Sequence, residues 1–151
     1  MYIGQEGKNQ IELSIKGYEH PDVSDNYFEA NWLNTEISVK TVTQSWNASA
    51  PVVLSNELSS FNDWLLALQE NKAQNRFFDF EDPSLYVCMT DKNEEALTLE
   101  FHLHLDFRCP DEENHETRVA VAISKEQLDN WTAQLQAYTE SYPTRYVVEM
   151  F

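Results

Sequence analysis

Residues 97–108, LTLEFHLHLDFR, constrain the fold more than any other stretch. Leu97, Leu99, Phe101, Leu103, Leu105 and Phe107 share one parity, and Thr98, Glu100, His102, His104, Asp106 and Arg108 share the other. Successive side chains of a strand point to opposite faces, so this alternation predicts a strand with one face buried and one face in water. Strands of that kind belong to antiparallel sheets packed on one side only.

Other segments extend the pattern. Ile11, Leu13 and Ile15 alternate with Glu12, Ser14 and Lys16, which predicts a half-buried strand. YEHPDVSDN follows as a polar turn region, and Pro21 excludes a central strand there. A second extended segment is expected from residue 27 to residue 46. Phe28, Ala30 and Trp32 share one parity in it, while Leu33, Thr35, Ile37 and Val39 share the other. The flip near Asn34 predicts a bulge or a bend. RFFDF and SLYVCMT read as short strands on either side of the turn EDP. DKNEE turns the chain into the long strand, CPDEENHE is a loop, and RVAVAIS is a further strand.

Two helices complete the reading. SNELSSFNDWLLALQEN carries Leu58, Phe61, Leu65 and Leu68 on one stripe with Trp64 beside it, and Ser55 or Asn56 is placed to cap it. The second starts at a capping box of Ser124 and Gln127 and carries Leu128, Trp131, Leu135 and Tyr138, stopping near Tyr142 and Pro143. Each helix follows extended segments, suggesting two strand-then-helix halves without establishing a duplication. The expected class is α+β, a mainly antiparallel sheet with two amphipathic helices packed on one face.

At 151 residues the chain suits one domain, residues 1–151, and 42% hydrophobic content is enough for a core. Three glycines leave no room for a glycine-rich phosphate loop. No apolar run is long enough to span a bilayer, and MYIGQEGKNQ lacks the regions of a signal peptide, so a cytoplasmic location is expected. Cys88 and Cys109 lack paired metal-ligand spacing and are expected to be reduced thiols.

The net charge of −16 comes from 26 acidic against 10 basic residues. Such a field repels nucleic acid and anionic membranes, and it speeds encounter with basic surfaces. The chain contains no GxSxG, HExxH or P-loop. Carboxylate pairs such as Asp79 and Glu81 are unavoidable among so many acids. His102 and His104 lie on one strand face at a spacing compatible with chelation, but a catalytic zinc needs three protein ligands. Glu100 or Asp106 could supply the third; both are equally explained as solvated charges. No cofactor is expected.

Several stretches taken together resemble the WapI-type family of bacterial immunity proteins. They are Asn31-Trp32-Leu33, then Glu57-Leu58 and Trp64-Leu65, then Phe80-Glu81-Asp82-Pro83-Ser84-Leu85, and finally Tyr142-Pro143-Thr144-Arg145. Asp82 departs from the glutamate expected before that proline, and the histidine strand and CPDEENHE match no pattern of the family. Each motif also has a scaffold role to fill: Trp32 as a core anchor, Pro83 in a turn, Arg145 paired with an acid. The resemblance implies a protein that protects a cell by binding a nuclease-type toxin domain from neighbouring bacteria, without catalysis. It supplies no binding residues.

The function expected is therefore an immunity protein that neutralises a cognate, basic toxin domain by direct protein–protein contact, with no nucleic-acid or membrane partner. Two other classes stay open: a small metal-dependent enzyme using His102 and His104, and an acidic adaptor or ligand-binding domain. The acidic loop residues Asp111, Glu112, Glu113 and Glu116 are the candidate partner-binding residues, because loops between strands tend to display binding groups.

Overall fold

A computed structural model describes residues 1–146 apart from Ser24, Glu112 and Asn114. The described residues form two four-stranded antiparallel sheets, each followed directly by a long helix. The first sheet runs β1 (Ile3–Gly4), β2 (Gln10–Tyr18), β3 (Trp32–Lys40) and β4 (Ser45–Leu54), with a short helix α1 (Tyr27–Asn31) before β3; α2 (Ser55–Gln69) follows. The second runs β5 (Phe77–Asp79), β6 (Leu85–Lys92), β7 (Ala96–His104) and β8 (Glu116–Ser124), then α3 (Lys125–Ser141). In both sheets the spatial order equals the chain order. The α+β class holds, with two sheets where one was expected. The two strand-then-helix halves are also present.

One buried cluster draws on both sheets and both long helices. It includes Ile11, Leu13, Ile37 and Val39 from the first sheet, and Val87, Leu99, Phe101, Val119 and Val121 from the second. Leu58, Phe61, Leu65 and Leu68 of α2 join it, as do Leu128, Trp131 and Leu135 of α3. Tyr138 packs at its margin. Gly4 lets β1 approach β8: at its φ of +104° a side chain is strained, and a Cβ there would meet Val121 Cγ1 at 2.7 Å.

The cap of α2 differs from the one expected. Neither Ser55 nor Asn56 caps α2; Leu54 holds that position, and Glu57 reaches back to accept from its N–H at 2.9 Å. The other Glu57 oxygen accepts from Glu81 N–H at 2.8 Å, tying the turn before β6 to α2. Burial pushes the Glu57 carboxyl above its ordinary value, against the lowering effect of these two donors. At α2's far end, Lys92 Nζ donates to the carbonyls of Leu68 and Gln69, where helix carbonyls lack partners within the helix and a cation is favoured. Ser124 does cap α3, accepting from Gln127 N–H, but the Gln127 amide leaves the capping box. It pairs instead with both backbone polar groups of Gly4, at 3.2 and 2.9 Å, pinning β1 to α3.

The extended segment from residue 27 to residue 46 resolves into α1, β3, a turn and the start of β4. Asn26 caps α1, its side chain accepting from Glu29 N–H at 3.1 Å. The expected bulge is present, between Leu33 and Asn34 where β3 pairs with β4.

The motifs carrying the family resemblance build joints. Asn31 is fully buried; its amide nitrogen donates to the carbonyls of Tyr27 and Arg145, and its oxygen accepts from Ser55 Oγ and Arg145 N–H. Among the described residues no acid pairs with Arg145: its guanidinium donates to the carbonyls of His20, Pro21 and Ala30 and lies 4.0 Å from the centre of the Tyr18 ring. Carbonyls from the turn before α1 and from Ala30 near its end satisfy a planar donor fork as an acid would. Tyr142 packs edge-on against Tyr18. Pro83 sits in the expected turn, braced by Asp82 accepting from Ser84 N–H. Trp32 is half-buried and stands outside the core cluster, contrary to expectation, because the chain enters β3 there from α1 and Leu33 takes the buried position.

Candidate partner-binding face

The outer faces of the two sheets differ in chemistry. That of the first carries Glu12, Ser14, Glu36, Ser38, Asn47 and Ser49, an ordinary solvated surface. The second presents rows set by register: Phe77 opposite Cys88 opposite Glu100, then Asp79 opposite Tyr86 opposite His102 opposite Arg118, and His104 opposite Glu116. Aromatic rings join the first two rows. Phe77 stacks on Tyr86 at 5.9 Å between centroids, and Tyr86 meets the edge of His102 at 5.0 Å. Phe77 and Asp79 are exposed; Tyr86, Cys88, Glu100 and His102 are half-buried.

His102 is the centre of this face. Its Nε2 lies 2.7 Å from Glu100 Oε1 and 3.6 Å from Cys88 Sγ, and its Nδ1 lies 2.8 Å from Glu116 Oε1. Arg118 Nε donates to the same Glu116 oxygen at 2.7 Å. That bond holds the Glu116 carboxyl below the ordinary carboxylate value, with His102 and His104 adding to the effect and burial opposing it. Burial pushes the Cys88 thiol up, and the nearby Glu100 charge adds to the rise.

The two histidines thus have different surroundings. Among the described residues, the one group of ligand-type side chains close enough to hold an ion is Cys88, Glu100 and His102, and His104 is not part of it. Asp106, the other acid weighed beside the pair, has left the strand. β7 ends at His104, and Leu105–Phe107 form a short 3-10 helix. Leu105 takes a left-handed backbone, φ 53°, and stands 60% exposed, while Phe107 returns to the core. A leucine in that conformation and that exposed costs free energy, which makes it a candidate contact residue.

The acidic loop divides. Asp111 and Glu113 are exposed, Glu112 lies outside the described residues, and Glu116 is half-buried in β8 within the His102–Arg118 network. The loop's start is fixed by Cys109, a buried free thiol whose N–H donates to Thr117 Oγ1 at 2.8 Å and whose Sγ donates to Gln44 at 3.1 Å. Exposed acids at one end of the face therefore continue through Glu116 into its centre. Sequence reading missed Phe77, Tyr86 and Cys88. The usable signal was the hairpin joined by DKNEE, whose pairing places Cys88 opposite Glu100.

A cavity of about 600 Å³ opens among Gln69, Lys92, Glu95, Leu97, Lys125 and Leu128, and none of the candidate site residues lines it. Among the described residues no helix is long and apolar enough to cross a membrane. No curated protein matches the chain. A family model described as the immunity protein WapI-like family matches residues 2–143.

Proposed function

The chain belongs to the WapI-like immunity protein family, and from that premise we propose that residues 1–151 act as one domain that neutralises a cognate toxin by direct contact. The family match over residues 2–143 carries this reading. The contact surface is the outer face of the second sheet together with the acidic loop, and the toxin domain is basic and of nuclease type. Nuclease surfaces carry cations for phosphate, and an acidic face can occupy them in place of the substrate. Exposed Asp79, Asp111 and Glu113 supply charge for encounter. Phe77, Tyr86 and Leu105 supply apolar contact, the kind of anchor that holds a complex once formed.

The test measures association with the cognate toxin domain. Changing Asp111 to Asn and Glu112, Glu113 and Glu116 to Gln is expected to slow association by about tenfold or more, because steering charges act on encounter. The salt dependence of the rate should flatten as well, since at physiological salt the Debye length is already about 8 Å and further salt mimics the substitutions. Identical rate-against-salt curves would remove the loop from the interface. No association of the unaltered chain would remove the proposal.

A further inference from the structure

We propose that Cys88, Glu100 and His102 form a binding site for a borderline-soft divalent metal ion, zinc above others, on the outer face of the second sheet. Cys88 comes from β6 and the other two from β7, with Cys88 and Glu100 directly opposite in register. Their ligand atoms lie within 4.8 Å of one another. A tetrahedral zinc with bonds of about 2.3 Å to sulfur and about 2.0 Å to nitrogen requires an N···S edge of about 3.5 Å. The Nε2 to Sγ distance is 3.6 Å. Glu100 Oε1, at 2.7 Å from Nε2, is hydrogen-bonded to the ring and has to retreat by about half an ångström to reach a tetrahedral N···O edge.

The ring is also oriented as a ligand. A histidine that binds metal through one nitrogen commonly donates its other N–H to a carboxylate, which fixes tautomer and ring plane. The Nε2 proton that Glu100 accepts has to leave when a metal binds; the tautomer that remains donates from Nδ1 to Glu116, at 2.8 Å, and turns its Nε2 lone pair toward Cys88 and Glu100. Arg118 holds Glu116 in turn. The paired strands hold the trio in place before any ion arrives. A thiolate, an imidazole and one carboxylate suit zinc or cobalt and do not suit magnesium or calcium, which take oxygen ligands. Cys88 binds as the thiolate and His102 through a bare Nε2, and both displaced protons pass to the buffer. Three protein ligands leave the fourth position to water.

The experiment uses the full chain, stripped of metal by a chelator, with Zn²⁺ and Co²⁺ alone as probes. One Co²⁺ per chain is expected, with the near-ultraviolet charge-transfer band of a cobalt–thiolate bond, and Zn²⁺ should displace it. Cys88→Ser should abolish the band, and His102→Gln should abolish stoichiometric binding. Glu116→Gln should keep the band and weaken affinity by about 10–100-fold, as loss of a ligand-orienting carboxylate does. His104→Gln should match the unaltered chain. A chain that takes up no Co²⁺ overturns the proposal without reference to any variant. So does a Cys88→Ser variant with the unaltered spectrum and affinity, or loss of binding in His104→Gln alone.

Discussion

Phe61→Ala is expected to destabilise the fold by about 3–5 kcal/mol, the range for truncating a buried phenylalanine. Phe61 is 1% exposed and stands where α2, α3 and the strand segment around β5 meet. Its ring centroid lies 5.7 Å from Trp64, 5.2 Å from Phe78, 5.3 Å from Phe80 and 5.5 Å from Trp131. Phe78 and Phe80 pack on each other at 4.8 Å, so the gap left by alanine is walled by stiff rings that cannot close over it. Aromatic pairs add about 0.5–1.5 kcal/mol beyond area burial, which places the expected loss toward the upper end. Urea unfolding should show a lowered midpoint with an unchanged slope. A near-neutral effect would mean that the ring cluster is not closed.

Leu65→Ala and Leu135→Ala should each cost about 2–5 kcal/mol, as buried leucine truncations do. Both residues are fully buried, at the middle of the α2 and α3 stripes, and both belong to the cluster that joins the two sheets. Leu66 is the matched control. It is the next residue on the same helix, but it is 40% exposed, so Leu66→Ala should stay within about 0.5 kcal/mol. Equal losses at Leu65 and Leu66 would contradict the assigned face of α2, and near-neutral effects at both Leu65 and Leu135 would remove the two-helix core.

These helices were legible in the sequence because their apolar residues recur at a period that no strand shares. β7 was legible for the opposite reason, through alternation, and the error lay at its end. Leu105 continues the alternation in sequence, but a left-handed backbone turns it to solvent, and parity alone carries no signal of that. β4 was not assigned because NASAPVVL hides its pattern behind small residues and a proline. Pro51 is tolerated there since β4 is an edge strand and the pairing skips a residue beside it, from Leu33↔Val53 to Asn34↔Pro51. α1, at five residues, is too short to show a period. The Cys88, Glu100 and His102 group depends on cross-strand register and on rotamers, which a linear reading does not fix. The resembling motifs were legible as motifs but not as joints: Asn31, Ser55 and Arg145 are far apart in sequence and meet only in the folded chain. Their roles in this fold are architectural.

The most direct test of neutralisation by contact is a titration of the cognate toxin domain, with its activity measured against added immunity protein. The account predicts a linear fall in activity that reaches zero at one chain per toxin, with a complex of that composition surviving gel filtration. Full toxin activity in the presence of excess chain, or loss of activity at a small fraction of one equivalent as a catalyst would produce, would contradict it.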